Sequence, residues 1–361
     1  MLYIRATGSI SPQKTFGHGP FLTDPVDYAG NRLTCIEPDY KELIDGKLIR
    51  RMSRIIKMGV AAAMECLKEA GVTVPDAIIT GTAYGCLQDT ETFLSRIVEN
   101  KEEMLTPTAF IQSTHNTVGA QIALLLQCHS YNNTFVHRGF SFESALLDAM
   151  TLLLDNPATQ VLIGGVDEIT NTSHAILSRL GLYRQEPLSN RELFTSPARG
   201  TIAGEGAAFF LLADQPSPTD YARLEGITTF YHPHTITATE EAISSFLTAH
   251  SITAGDIDLI ITGRNGDEKN DAGYRDLAAS VFKGIPTTHY KDLCGEYPTS
   301  TAFALWLAAN ILKTGYLPAV LSRQEPAPGP LSGQSFQAPR RILIYNNYLN
   351  RHHSLLLVSA C

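Results

Sequence analysis

Ser141 opens a run, Ser141 to Asp155, in which apolar residues dominate, and His137 and Arg138 precede it by four and three positions. A serine hydroxyl with a histidine to take its proton is a minimal set for nucleophilic acyl chemistry. The segment VHRGFSFES therefore offers Ser141 as the nucleophile of an acyl hydrolase or transferase, with His137 or Glu296 as base. A structural reading uses the same residues: serine is favoured as a helix N-cap, and Glu143 in a first turn suits the helix dipole. That second reading carries the greater weight, because it needs no group beyond the helix itself.

Other reactive side chains lack a pattern. The six cysteines (35, 66, 86, 128, 294 and 361) contain no CxxC pair, so neither a zinc ribbon nor a disulfide framework is expected. Cys128 and Cys294 read as ordinary buried thiols. His352 and His353 are adjacent, and adjacent strand residues point to opposite faces, so they do not make a metal pair. Gly204-Glu205-Gly206 lacks the Lys-Ser/Thr of a phosphate loop and reads as a tight turn with Glu205 as a buried structural carboxylate. No cofactor and no metal is expected.

The elements that must position these residues alternate between strand and helix, which predicts an α/β protein. Of the 361 residues, 44% are hydrophobic and 18% charged, enough apolar material for a large two-lobed core and too much for a disordered or fibrous chain. The net charge of −8 argues against a nucleic-acid or anionic-membrane surface. No run approaches a membrane span, and MLYIRATGSISP is too short and too soon polar for a signal peptide; it reads as a first strand ending at Gly8. A reducing cytoplasm is the expected setting.

Arg50 to Val72 has helical apolar spacing closed by Gly71. Asp76 to Gly81 reads as a buried strand, Thr106 to Cys128 as a polar turn, IQSTHNT, then a helix, and 134 to 136 as a strand. Ser141 to Asp155 should be a helix buried on most sides, followed by a strand at 161 to 165. In the second half, 258 to 262 is a strand, 263 to 270 a Gly/Asn-rich loop, and 299 to 313 another apolar helix, with a strand at 341 to 345. Strand, loop and buried helix thus occur at 134 to 155 and again at 287 to 313, an internal duplication with its hinge at Asp214 to Tyr221. Two apolar helices, one per half, would bring their N-terminal amides to a shared crevice that favours an anion or thiolate.

Several segments, in order along the whole chain, carry a family resemblance. RRMSRIIKMGVAAAMECLKEAG resembles the "RMDR…A…AL.DAG" helix of β-ketoacyl-acyl-carrier-protein synthases. SPARGTIAGEGAAFFLL (196 to 212) is similar to their "D..R.G…GEGAG.L.L" signature. LIGGVDE (162 to 168), KDLCGEYPTSTAFAL (291 to 305) and RRILIYNNYLNRHHSLLLVSA (340 to 360) stand where that family has "AGG.E", "K…GH..GA.G" and its terminal strands. The resemblance implies a thiolase-like fold of two related halves, layered α-β-α-β-α and divided as 1–213 and 214–361. It also implies a dimer, and a cysteine at the first buried helix with two histidines from the second half, which condense acyl chains with malonyl-carrier protein.

Each of those three positions departs from the family. Counting back from Asp148-Ala149 puts Gly139 at the nucleophile, with no cysteine anywhere between 129 and 293. Counting from Asn270-Asp271 puts Gly263 at the first histidine, in a loop, GRNGDEKND, that has none. In KDLCGEYPTS, Lys291 and Gly295 match but Glu296 replaces the second histidine, and a carboxylate there would repel malonate and an enolate. Asn346 to His353 replaces the family's glycine-rich gating loop with bulky residues, which predicts an occluded or reshaped acyl entrance. The resemblance thus points to a ketosynthase-like subunit without the Cys-His-His set. Such a subunit, like chain-length-factor subunits, would support a catalytic synthase in fatty-acid, polyketide or aryl-polyene type assembly.

Its expected partners are a catalytic ketosynthase or a second copy of itself, and an acyl carrier protein, for which Arg50, Arg51 and Arg54 form a candidate basic face. The rival is an active synthase, acyltransferase or hydrolase with a non-standard site drawn from Ser141, His137, Arg138, Lys291, Glu296 and Glu205, Arg264 lying nearby. His115 is expected to cap or hydrogen-bond at a turn on the dimer side.

Overall fold

The computed structural model describes residues 1–17, 19, 21–196, 198–321 and 338–361. Among them the first half supplies β1 (Leu2–Ile10), β2 (Ala29–Gly30), β3 (Ala77–Gly81), β4 (Tyr131–Phe135), β5 (Gln160–Asp167), β6 (Leu188–Ser189) and β7 (Gly206–Ala213). The second supplies β8 (Ala222–Tyr231), β9 (Leu259–Thr262), β10 (Thr287–His289), β11 (Arg341–Tyr348) and β12 (His352–Ser359).

The duplication read from the sequence is explicit in the sheet. Ten strands run β10-β9-β11-β12-β8-β1-β7-β5-β3-β4, while β2 and β6 form a separate two-stranded pair. Outward from the middle, β1-β7-β5-β3-β4 and β8-β12-β11-β9-β10 repeat one order. They also repeat one set of directions, with the two inner pairings antiparallel and the two outer ones parallel. The halves join by a short antiparallel contact in which Leu2, Tyr3 and Ile4 face Leu224, Arg223 and Ala222.

Helices cover both faces of each half-sheet, so the strands read as nearly continuous apolar runs. Alternate side chains of β7 divide between layers: Phe209 and Leu211 pack outward with the Arg54–Ala70 helix, while Phe210 and Leu212 pack inward. In β11, Leu343 and Tyr345 face the second half's outer layer and Ile342 and Ile344 face inward. Each such fully buried large side chain contributes about 1.5–3 kcal/mol by leaving water. The inward layer holds both apolar helices, Ser141–Asp155 and Thr301–Thr314, giving the thiolase-like five-layer arrangement.

Several boundaries differ from the expectations. The first strand continues to Ile10, because Gly8 is a close-approach position and not an end: a Cβ there would lie 2.0 Å from the Ala62 carbonyl oxygen of the covering helix. That helix starts at Arg54, with Gly71 closing it in the left-handed region at φ 67°. The strand expected at 134 to 136 spans 131 to 135, and the loop after β9 ends early, in a helix at Glu268–Ala279. Asp214 to Tyr221, too short to free two independent domains, is tied down at both halves. Asp220 pairs with Arg5 of β1 at 2.7 Å, and the Tyr221 N–H donates to the Ile4 carbonyl.

The 141–155 helix is buried on most sides, as expected: Phe142, Ala145, Leu146, Ala149 and Leu153 face the core, and one stripe with Leu147 and Leu154 is exposed.

Candidate functional site

The chain leaves β4 through a tight turn, Arg138–Phe140, and enters the central helix at Ser141. Ser141 is fully buried and is the first helical residue rather than the N-cap. Its Oγ accepts the His137 N–H at 2.8 Å and donates to the Arg138 carbonyl at 2.8 Å, so both functions of the hydroxyl serve the turn. The His137 side chain is exposed and lies edge-on to Phe140.

Gly139 is buried at this helix entrance, and the volume beyond its Cα is already occupied. A Cβ at 139 would lie 2.8 and 2.9 Å from Tyr348 Cδ1 and Cβ and 3.0 Å from His352 Cβ. Tyr348 and His352 face each other across the β11–β12 hairpin. Its turn places Leu349 and Asn350 at φ 58° and 53°, and Asn347 donates to Asn350 Oδ1 at 2.7 Å. The bulky 346–353 segment is thus a strand end, a turn and a strand start, and it fills the space around Gly139.

Gly263 is filled in the same way, since a Cβ there would stand 2.0 Å from Asn346 Oδ1. Asn346 cannot swing away freely: Tyr290 donates to its Oδ1 at 3.0 Å and its Nδ2 donates to Thr301 Oγ1 at 2.8 Å. Glu296 is locked as well. Lys291, wholly buried, donates to both carboxylate oxygens at 2.7 and 2.6 Å, and Asn265 Nδ2 donates at 2.6 Å. Burial pushes the Glu296 carboxyl up and Lys291 pulls it back.

Glu205 is the buried structural carboxylate expected of it. Arg54 donates to both of its oxygens at 2.6 Å, and the N–H groups of Cys35 and Ile169 complete its shell. This corrects the basic face drawn for a carrier protein: Arg54 turns inward to Glu205 and Glu37, leaving Arg50 and Arg51 exposed. The reason is burial, since a carboxylate this deep requires a counter-charge. His115 is exposed, with its backbone and ring against Gly85.

His352 and His353 take different surroundings. His352 packs on Phe140 and Tyr231, whereas the His353 ring stacks on Phe230 and its Nδ1 meets Tyr345 OH at 2.8 Å. Burial lowers both, His353 to about 4.

A cleft of about 900 Å³ opens onto this region. Buried Glu296, Asn265, Tyr348 and His352 and exposed Arg138 are among the residues that line it. Of the residues singled out in the sequence, the fold brings Glu296, Arg138 and His352 to one cleft, with Lys291 behind Glu296. Ser141, His137 and Glu205 are not on its walls. Sequence reasoning missed Asp167, which ends β5 fully buried and accepts from Thr82, Ala83 and Tyr84 on one loop and Thr299 on the other half. Its only signal was an acid directly after an apolar strand.

Buried carboxyls set an expected pH dependence. Burial pushes Glu143 and Glu168 up to about 7 and Asp167 up to about 6. A carboxyl raised in the folded state contributes stability below its unfolded value, 4.5 for Glu143, and loses that contribution as pH rises to about 7. The lowered histidines act on the other limb, losing stability as pH falls below 6.5. Thermal melts of Glu143→Gln and the unaltered chain should therefore agree best near pH 5. At pH 8 the variant should melt higher, relative to the unaltered chain, than it does at pH 5.

Against known proteins, residues 38–180 match the beta-ketoacyl synthase N-terminal domain family. The oxytetracycline polyketide putative beta-ketoacyl synthase 1 of Streptomyces rimosus is 22% identical over 329 residues, which is 81% of this chain and 77% of that protein. Two solved structures superpose over the full chain at 17% identity. The ishigamide ketosynthase/chain length factor does so with TM-score 0.82, covering 99% of its own chain. The ketosynthase ApeO in complex with its chain length factor ApeC from Xenorhabdus doucetiae gives 0.77 and 98%. The fold is the thiolase-like fold of ketosynthases and chain length factors. Over residues 38–180 the chain is similar to that family's N-terminal domain, and over its whole length it shares the ketosynthase fold. No helix among the described residues is long and apolar enough to cross a membrane.

Proposed function

We propose that this chain is a non-catalytic ketosynthase-like subunit that supports a catalytic β-ketoacyl synthase during carrier-protein-bound acyl-chain assembly of the fatty-acid, polyketide or aryl-polyene kind. The observation that carries the reading is the filled space at Gly139: the residue at the helix entrance has no nucleophile, and Tyr348 and His352 occupy the room one would need. Asn346 against Gly263 and the Lys291–Glu296 pair support it, because neither leaves a group free to bind an oxyanion.

Partnership with a ketosynthase fits the edge of the sheet. Among the described residues β4 pairs on one side only, and Tyr131, Val136, Leu147 and Leu154, on β4 or on the segment and helix that follow it, are exposed apolar surface suited to another chain. The solved ketosynthase and chain-length-factor pair supports this assignment. A second copy of this chain is the other occupant.

The test is reconstitution with the ketosynthase and carrier protein encoded nearest to it. The expected result is a co-purifying pair whose product length differs from that of the ketosynthase alone, while this chain alone turns over no malonyl-carrier protein. Turnover by the isolated chain, or neither association nor a change in products, overturns the proposal. The hydrolase alternative has little support, since the Ser141 hydroxyl is committed to backbone on both sides. Its intact mass is expected to stay unchanged after incubation with acyl thioesters.

A further inference from the structure

Tyr231-His232-Pro233-His234 leaves the end of β8 and leads into the helix Ile236–Ala249. Histidine is the commonest metal-ligating side chain, and two of them one residue apart can share an ion only where the backbone sets both rings side by side. Here it does. The ring centres of His232 and His234 lie 4.8 Å apart, both residues are exposed, and neither lines the cleft described above.

That spacing matches the geometry of a shared ion. A metal–nitrogen bond of about 2.0–2.1 Å, with about 1.1 Å from a ring nitrogen to the ring centre, puts each imidazole centre about 3.2 Å from the ion. With about 90–110° between the two bonds, the centres stand about 4.5–5.2 Å apart. The observed separation falls inside this range, so the pair needs ring rotation and no backbone movement to hold one ion.

The backbone is held on both flanks. The His232 N–H donates to the Arg351 carbonyl at 2.7 Å, Pro233 fixes its own φ, and Thr235 caps the following helix by accepting the Ala238 N–H at 3.1 Å. A chelate whose backbone is already ordered loses little freedom on binding. No third histidine, cysteine, aspartate or glutamate completes a group of three among the described residues, so the other positions on the ion belong to water. Without a carboxylate the pair does not suit magnesium or calcium, which take oxygen ligands. Two imidazoles suit the late first-row divalent ions instead.

We infer that His232 and His234 form a chelating site for a late first-row transition-metal ion, nickel, copper or zinc in chemical class, that clips the end of β8 to the start of the helix after it. The inference is independent of the accessory-subunit reading, and the isolated full-length chain serves for its test.

Calorimetric titration of that chain is expected to show one nickel ion bound at sub-millimolar concentration and no magnesium. His232→Gln and His234→Gln should each weaken nickel by at least about ten-fold, the loss that removing even an outer partner of a metal site brings. Without metal, both variants should melt as the unaltered chain does, because both positions are exposed. His129→Gln, at an exposed histidine elsewhere, should bind nickel like the unaltered chain. With one equivalent of copper, the electron paramagnetic resonance spectrum should carry coupling to two imidazole nitrogens, and to one in either single variant. Nickel should raise the melting temperature of the unaltered chain but not of the double variant His232→Gln/His234→Gln. No nickel binding below millimolar concentration, magnesium binding as tight as nickel, or a double variant that binds nickel like the unaltered chain overturns the site.

Discussion

Replacing Gly139 by cysteine is expected to cost roughly 1–3 kcal/mol of folding stability and to produce no acyl-enzyme, the opposite of what restoring a nucleophile would do. The cost comes from the first side-chain atom, not from sulfur. Tyr348 Cβ and His352 Cβ, at 2.9 and 3.0 Å from the added Cβ, belong to the two strands of one hairpin and cannot yield by rotating a side chain. Gly139→Ala should therefore carry nearly the same cost. Tyr348→Ala should relieve it only in part, since the ring contact at 2.8 Å disappears and the Cβ contact stays. Urea denaturation measures the first quantity, and intact-mass analysis after incubation with an acyl thioester measures the second. An undiminished midpoint together with a mass adduct on residue 139 would show that the hairpin moves aside, and the non-catalytic reading would then fail.

Lys291→Met should be more costly still, roughly 3–5 kcal/mol, because it leaves the Glu296 carboxylate buried without its counter-charge. Glu296→Gln should cost a similar amount by stranding the ammonium. The double variant Lys291→Met/Glu296→Leu is expected to recover much of the loss, since a buried ion pair replaced by apolar side chains of similar volume is often close to neutral. The Lys291→Met defect should also shrink at acidic pH. An unpaired buried carboxylate has its folded value raised further, so its protonated form is the stable one, and stability is lost as pH rises through that value. Chemical denaturation of the two singles and the double at pH 5 and pH 8 checks all of this. A double variant as unstable as the sum of the singles would mean the pair contributes nothing through its mutual contact.

The pairing at Glu296 is instructive about reading sequences, because Lys291 and Glu296 were both singled out from their motif, yet as separate candidates. Nothing in KDLCGEY says that a short helical turn from Lys291 to Cys294 folds the ammonium onto the carboxylate five residues later. Arg54 gives the converse case. It belongs to a row of three arginines that reads as a basic face, but its guanidinium is drawn inward by Glu205, 151 residues away. Helical periodicity locates an arginine on a helix and is silent about a distant buried carboxylate.

By itself the sequence determined the alternation of strand and helix, the duplication, and the residue types at 139, 263 and 296. These are properties of local order: apolar periodicity, glycine punctuation and motif spacing are carried by neighbours along the chain. Only the tertiary structure decided what those residue types mean. Tyr348 reaches Gly139 because the β11–β12 hairpin of the second half closes over the helix entrance of the first, and Asn346 reaches Gly263 because β11 pairs with β9. Space beyond a glycine is defined by whatever packs there, and at Gly139 that is a hairpin more than two hundred residues further along the chain.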